Sequence, residues 1–271
     1  VVIAIIGILA SLLLPVLGKA KKKARTLKSA SNQRNIAQAY VMYLDDNDGW
    51  YPVVAGPASV GGKQGFGKGM GWKDLPEVVS RLYGAKVPVQ DRPLNKYIGT
   101  GENSLNVFRD PNDVGGGAYN VPSCWESFGN SYQAQTADDM FRVKRVLGEK
   151  TEKEGSYEAT SLNEQEMLNP VSKIIQGDWN WPYDRGDTWH AEKGEPGHVM
   201  LYADNHAAYY IFPPTTMMTN KLWMSATNFF IYDEKGRPKR NGRGEYIHDN
   251  AKFRAETGQD FDYVDPGFKW W

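Results

Sequence analysis

The residues of this chain best suited to chemistry are three histidines, His190, His198 and His206, which recur every eight residues. Imidazole titrates near neutral pH and is a common metal ligand. His198 and His206 flank Asp204-Asn205, a pair that predicts a two-residue hairpin turn. Because side chains alternate along strands, that register points His198 and His206 to opposite faces, where they cannot share one ion. We therefore expect structural or surface histidines.

Three aspartates, Asp178, Asp187 and Asp204, could line a calcium site carried by loops, because calcium binds carboxylate oxygens. They do not make up a complete ligand set, and we expect no bound metal. An enzyme would need a pocket that gathers His190, Asp178 and Asp204. The sequence contains no GxSxG, HExxH, P-loop or dinucleotide-binding pattern. We therefore expect no catalytic residue and no cofactor.

Charge and cysteine content narrow the class of protein further. Lys plus Arg and Asp plus Glu number 32 each, so no overall positive field draws the chain to nucleic acid, and we expect no such partner. The single cysteine, Cys124, excludes an internal disulfide. Tryptophans in the stretches 179–183 and 268–271 could stack on glycans, although we favour core packing or contacts between subunits.

The most apolar part of the chain is residues 1–17, VVIAIIGILASLLLPVL, which contain no charged side chain. As a helix this segment reaches about 25 Å, slightly short of a hydrocarbon core of about 30 Å, so we expect residues upstream of it. A signal peptide is the alternative, but the residues before Lys19 make a poor cleavage site. The residues expected in a membrane or a filament core are Val1, Ile3, Ile5, Ile6, Gly7, Ile8, Leu9, Leu12, Leu13, Pro15 and Leu17.

A basic collar follows this apolar segment and suits anionic lipid head groups or acidic neighbours. The collar comprises Lys19, Lys21, Lys22, Lys23, Arg25 and Lys28. Spacings of three and four then predict an amphipathic helix. Its expected stripe is Leu27, Ala30, Arg34, Ala37, Tyr40, Val41 and Leu44. The run Asp45–Gly49 ends the helix; an EF-hand loop there would lack ligands at Leu44 and Ala55.

Several of these segments carry a family resemblance. The stretch from Val1 to Tyr40 resembles the start of a prepilin-type protein, as in type IV pilins and the pseudopilins of type II secretion. Residues 107–113 are similar to the F-x-C-P-x-D element of pseudopilin-like proteins, with Asp110 in place of Cys. Residues 127–132 match the Ser-Tyr segment of that family. HVMLYADNHAAYYIF, at 198–212, resembles its His … F-x-D-G-H signature, with Asn205 at the Gly position.

The resemblance implies a structural role in a pilus-like or pseudopilus-like helical filament. The chain would sit in the inner membrane before assembly and then pack against copies of itself in a periplasmic or extracellular filament at the cell surface. A prepilin peptidase and the pilus assembly machinery are further implied partners. The positive-inside rule would place the collar in the cytoplasm, whereas the resemblance places the globular part outside, and we follow the resemblance. It also implies a bend or melted turn within Gly7–Pro15 in the assembled filament.

We expect an α+β fold that is pilin-like, with a long N-terminal helix packed against a C-terminal antiparallel β-sheet with long loops. The helix would cover residues 1–48. Its residues 1–17 would lie in the membrane or the filament core, and its residues 18–48 would be amphipathic. The globular domain would cover residues 49–271. The alternative function is a membrane-anchored or filament-tip module that binds glycans or adheres.

Local patterns predict further elements of the globular domain. They are a mobile loop at Gly56–Gly71, short helices at Asp74–Tyr83 and Ser161–Leu168, a solvated loop or hairpin at Met140–Tyr157, a strand at Lys173–Gly177 and the hairpin at 198–212. Ser161 and Glu164 form the expected capping box of the second helix.

Overall fold

A helix of 45 residues, α1 (Val2–Asp46), opens the chain and runs through Gly7 and Pro15 without a break. It ends as predicted, where the Leu44 carbonyl accepts hydrogen bonds from the N–H groups of Asn47 and Gly49. Gly49 has a φ of 77°, the left-handed conformation that commonly closes a helix.

The computed structural model describes residues 2–66, 83–115, 121–134, 146–149, 161–167, 169–179, 188–191, 195, 197–211, 231–237, 239, 247 and 249–257. The further helices are α2 (Asn95–Ile98), α3 (Glu102–Leu105), α4 (Cys124–Phe128) and α5 (Asn250–Thr257). Short 3₁₀ helices occupy Pro57–Val60, Val89–Asp91, Asn106–Phe108 and Glu164–Glu166. The strands are β1 (Val53–Val54), β2 (Tyr132–Gln133), β3 (Gly148–Glu149), β4 (Ile174–Asp178), β5 (Gly197–Tyr202) and β6 (Ala207–Ile211).

Four of the strands form an antiparallel sheet in the order β2-β4-β5-β6. The C-terminal half of α1 packs on β5 and β6. Ile36 and Tyr40 of the helix and Val199 and Leu201 of β5 lie in one buried cluster. A long N-terminal helix on an antiparallel C-terminal sheet confirms the α+β class. Strands β1 and β3 form a separate parallel pair.

The stripe predicted for α1 is partly wrong. Ala30, Ala37, Tyr40 and Leu44 are buried, but Leu27 is 63% exposed. Arg34, another member of the predicted stripe, is also exposed. In addition, the buried face carries polar side chains, since Ser29 and Gln33 are both 0% exposed. Spacing alone did not identify them, because their partners come from the globular domain: Ser29 donates to Asp110 and the Gln33 amide to the Val199 carbonyl, whereas Oε1 of Gln33 has no partner in the described part of the chain.

The hairpin of β5 and β6 also differs by one residue from its predicted register. Val199 lies opposite Tyr209, and Leu201 opposite Ala207. The N–H of Tyr202 donates to the His206 carbonyl, so the loop has three residues rather than two. The last of them, Asn205, has a φ of 70°, which this residue type tolerates. The slip puts His198 and His206 on the same face, contrary to the prediction.

The predicted mobile loop at Gly56–Gly71 is wrong for its described part, residues 56–66. Pro57–Val60 is a buried 3₁₀ helix. The guanidinium of Arg92, 1% exposed, donates to the carbonyls of Ala58 at 2.6 Å and Gly61 at 2.9 Å. Burial lowers the pKa of Arg92 to about 9. A buried cation that fastens backbone carbonyls orders this segment, and glycine content did not reveal it.

Smaller predictions had mixed outcomes. The 3₁₀ helix at Glu164–Glu166 is capped by Asn163, and Asn163 and Glu166 form its capping box. The prediction that Ser161 and Glu164 form the capping box is therefore wrong. Strand β4 confirms the strand expected at Lys173–Gly177. Val146 and Leu147, placed in a solvated segment, are buried in the core. Most of the helix expected at Asp74–Tyr83 lies outside the described residues.

Candidate functional site

The N-terminal half of α1 leaves its apolar side chains uncovered. Every described Val, Ile and Leu from Val2 to Leu17 is at least 52% exposed, and Ile3 is 86% exposed. A Cβ added at Gly7 would meet no atom within 4 Å. Contiguous apolar surface of this extent marks a site of interaction rather than ordinary surface.

The structure places the predicted membrane or filament-core residues together on this segment, except Val1, which lies outside the described residues. The group comprises Ile3, Ile5, Ile6, Gly7, Ile8, Leu9, Leu12, Leu13, Pro15 and Leu17. Within the described residues, no helix combines the length and the apolar character that crossing a membrane requires.

The basic collar lies where α1 enters the globular domain. Lys19, Lys21, Lys23, Arg25 and Lys28 are exposed. Lys22 is half-buried instead, and its ammonium donates to the Ala191 carbonyl. One collar cation therefore holds the helix to its own domain, and five extend into solvent.

Directly beyond Lys22, α1 meets a buried network built on His190. The Nε2 atom of His190 is 2.9 Å from Oδ2 of Asp110. Its Nδ1 atom is 3.1 Å from both the Thr26 hydroxyl and Nδ2 of Asn112. In the neutral ring, Nδ1 accepts from the Asn112 amide and Nε2 carries the hydrogen toward Asp110; in the protonated ring, Nδ1 also carries a hydrogen, which the Thr26 oxygen can accept. The ring is thus fixed from α1 on one side and from the segment after Phe108 on the other.

Asp110 joins the network to α1 a second time. Its Oδ2 also accepts a hydrogen bond from the Ser29 hydroxyl, and its Oδ1 accepts the Asn112 N–H at 2.7 Å. Ser29 in turn lies 3.2 Å from the Tyr132 hydroxyl on β2. The position where the family resemblance has Cys thus carries a carboxylate that is satisfied on both oxygens.

Asp178, at the end of β4, forms the second half of the network. Its Oδ1 is 2.8 Å from Nδ1 of His198, and its Oδ2 accepts the Val199 N–H at 3.1 Å. The same Oδ2 lies 3.9 Å from Nε2 of His190. Asp110, His190, Asp178 and His198 therefore form one chain of charges, and all four side chains are 0% exposed.

The pKa values follow from this arrangement. Burial alone would lower the pKa of His190, but the hydrogen bond to Asp110 and the charges of Asp110 and Asp178 raise it above the ordinary histidine value, against the opposing charge of Lys22. For Asp178, burial acts to raise the pKa, but the charge and hydrogen bond of His198, with help from His190 and the Val199 N–H, lower it. The network favours charged partners in the folded state.

Chemically, the network can hold α1 to the globular domain and orient it, because its hydrogen bonds join the helix to residues far along the chain. The four ionisable side chains are out of solvent, and the Thr26 hydroxyl donates to the Lys22 carbonyl at 3.1 Å. Cys124 is also buried, which raises the pKa of its thiol well above the usual value and keeps it protonated.

The predicted metal and enzyme residues are only partly brought together. His190 and Asp178 meet, but Asp204 lies in the hairpin turn and pairs with exposed His206. His206 is four strand positions, about 13 Å, from the residue opposite His198. Asp187 lies outside the described residues. Among the residues that the structure describes, no group of three or more His, Cys, Asp or Glu side chains is arranged to hold a metal ion.

The tryptophan-rich segment at 179–183 is described only at Trp179, which is fully buried and stacks on Phe128 with ring centroids 4.4 Å apart. Trp179 is therefore a core residue, in agreement with the favoured interpretation. The stretch 268–271 lies outside the described residues.

Sequence reasoning missed Thr26, Ser29 and Asn112, and it noted Asp110 only as a substitution for Cys. Hydroxyl and amide residues at those positions give no signal of their own, because their partners are about 80 or more residues away along the chain.

Comparison with known proteins adds no further constraint. No family model, no curated protein and no solved structure matches this chain.

Proposed function

We propose that this chain is a structural subunit of a type IV pilus-like or pseudopilus-like helical filament that polymerises through its N-terminal helix. The observation that carries the proposal is the contrast within α1. In its first half, the described Val, Ile and Leu side chains from Val2 to Leu17 are all more than half exposed, and its second half packs one face into the globular core. A surface of that kind is stable in water only when something covers it.

Copies of the same helix are the partner that this geometry favours. Before assembly the apolar half would sit in the inner membrane, and in the filament it would pack against its copies, so that lipid contacts are exchanged for helix contacts. Identical subunits related by a rotation and a translation form an open helical polymer. No catalytic step and no cofactor are part of this role.

The buried network supports the proposal by fixing the base of the protruding helix. Thr26 lies within the collar and Ser29 directly follows it; they bind His190 and Asp110, respectively, in the interior. The point where α1 leaves the globular domain is thus held by side-chain hydrogen bonds as well as by apolar contacts. A rigid base lets every subunit present its apolar segment in the same direction.

Negative-stain electron microscopy of the native protein tests the proposal. We expect filaments from the wild type, none from Ile8→Lys, and filaments from Asn103→Lys. Ile8 and Asn103 are both exposed helical residues, but only Ile8 belongs to the apolar segment. Filaments of equal abundance from Ile8→Lys, or none from the wild type under any assembly condition, would contradict the proposal.

A further inference from the structure

The solvent-facing side of α1 carries opposite charges at its two ends. Lys21, Arg25 and Lys28 are exposed at helical spacings of four and three, which place them on one side of the helix. At the same spacings of three and four, this stripe continues through exposed positions without charge, namely Ser31, Asn35, Gln38 and Met42, and it winds about a third of a turn around the helix between Lys21 and Asp45. It ends at exposed Asp45, and exposed Asp48 follows just after the helix.

The carboxylates at the acidic end differ in how they are used. Asp46 accepts hydrogen bonds from the Lys96 ammonium and the Tyr97 hydroxyl, both at 2.8 Å. For Asp45 and Asp48, no side-chain hydrogen bond or ion pair occurs with any other residue in the described part of the chain. Asp46 is thus committed within the subunit, and its two neighbours offer their charge to the outside.

The two ends of the helix cannot neutralise each other. Lys21 and Asp45 are 24 residues apart, which corresponds to about 36 Å along a helix. That distance exceeds several Debye lengths at physiological salt, so the charges of one subunit are independent of each other. Any ion pair between these two ends must therefore form between different copies of the chain.

We infer that the collar of one copy binds the acidic end of α1 in a second copy displaced by about 35 Å along the filament. This inference rests on the proposed function, because it assumes that copies lie side by side. A second copy is favoured because it supplies both charges on the two ends of one winding stripe of the same helix. A lipid surface would match the collar alone and would leave Asp45 and Asp48 without a role.

The contribution of each pair is expected to be small but repeated. Exposed ion pairs contribute little individually and weaken with salt. Their main effect is to select one stagger between neighbouring helices, since other staggers place like charges together or leave charges unmatched. Apolar contacts between the N-terminal segments would supply most of the affinity.

The test is a charge exchange in the full-length chain, measured as the critical concentration for sedimentable filaments. In Asp45→Lys/Asp48→Asn, the lysine suits a helix C-terminus, and the asparagine tolerates the φ of 52° at position 48. We expect the critical concentration to rise by about fivefold or more at low salt and by much less at about 0.5 M salt. The matched control is Glu102→Lys, an exposed carboxylate on α3, which should assemble as the wild type does.

Reversal of the collar in Lys21→Glu/Arg25→Glu/Lys28→Glu should weaken assembly in the same way. Mixing this variant in equal amounts with Asp45→Lys/Asp48→Asn should restore assembly as mixed filaments. The negative collar of the first variant can then pair with Lys at position 45 of the second, and the positive collar of the second can pair with Asp45 and Asp48 of the first. The inference would be overturned if Asp45→Lys/Asp48→Asn assembled at the critical concentration of the wild type. It would also be overturned if Glu102→Lys raised the critical concentration by the same amount. A wild type that forms no filaments would overturn the proposed function instead.

Discussion

The imidazole of His190 lies 2.9 Å from the carboxylate of Asp110, and neither side chain is exposed. The two residues are 80 positions apart, and both also bind side chains of α1. This pair connects the helix to the globular domain through polar contacts inside the core. The stability of that junction is the first property that mutations should reveal.

Asp110→Asn should destabilise the fold by about 2–4 kcal/mol, although the two side chains have nearly the same shape. The amide cannot accept from all three donors that Asp110 satisfies, and it removes the charge opposite His190. Urea unfolding followed by circular dichroism measures the effect. Asp233→Asn, at an exposed turn far along the chain, serves as control and should cost clearly less. Equal losses in the two variants would refute the importance of the buried pair.

Stability should fall as the pH rises above neutrality. The pKa of His190 is higher in the folded chain than the ordinary value of 6.5, so its contribution is fully present below pH 6.5 and is lost as the pH rises through the folded value. The pKa of Asp178 is lowered from 3.8, so its contribution is present above pH 3.8 and is lost as the pH falls through the folded value. His190 and Asp178 together therefore stabilise the fold most between pH 3.8 and pH 6.5, the ordinary pKa values of the two groups.

The measurement is the urea midpoint at about pH 5.5 and about pH 8.5. The wild type should have the higher midpoint at the lower pH, and His190→Gln should lose most of this difference. His206→Gln is the control, because His206 is exposed at the hairpin and lies outside the network. A full pH difference retained in His190→Gln would show that another group causes it.

Gly129→Ala should destabilise the fold far more than Gly236→Ala. Both glycines have a positive φ, 81° and 72°, which costs a non-glycine residue about 1–2 kcal/mol. A Cβ at Gly129 would also lie 1.7 Å from the Lys63 carbonyl oxygen, whereas a Cβ at Gly236 meets nothing within 4 Å. Thermal unfolding of the two variants separates the steric effect from the conformational one. Similar melting temperatures would contradict the close approach at Gly129.

How much of this was predictable differs between elements. The long helix and its end within Asp45–Gly49, a strand predicted at 173–177 and the existence of the hairpin follow from periodicity and turn residues, and the structure confirms them with the helix ending at Asp46 and the strand at 174–178. The hairpin register did not follow, because Asp204-Asn205 fits both a two-residue turn and the last positions of a three-residue loop. A one-residue difference then reverses the faces of all later side chains.

The buried network was largely out of reach of sequence reasoning. His190 and Asp178 were named as candidates, but their actual partners, Asp110 and Ser29, come from segments whose local patterns describe only a turn and a helix. Burial of Arg92 against carbonyl groups was equally invisible, since a lone arginine in a polar segment normally faces solvent. Long-range polar pairing depends on tertiary structure, which no local spacing encodes.

Assembly should change the helix between Gly7 and Pro15. In the isolated chain α1 is continuous there, although Pro15 lacks a backbone donor and Gly7 is a poor helix former. Close packing of neighbouring segments can satisfy the freed carbonyl groups, as it does for broken helices in membranes. We expect a bend or a melted turn within residues 7–15 of the assembled subunit. Pro15→Ala should straighten it, and a continuous straight helix in wild-type filament density would refute it.

The most direct test of the central claim is a helical cryo-EM reconstruction of the wild-type assembly. The account predicts a filament whose axis is lined by residues 2–17 of many copies, with the four-stranded sheets on the outside. Discrete particles with no helical lattice, or a filament with these apolar segments away from its axis, would contradict it.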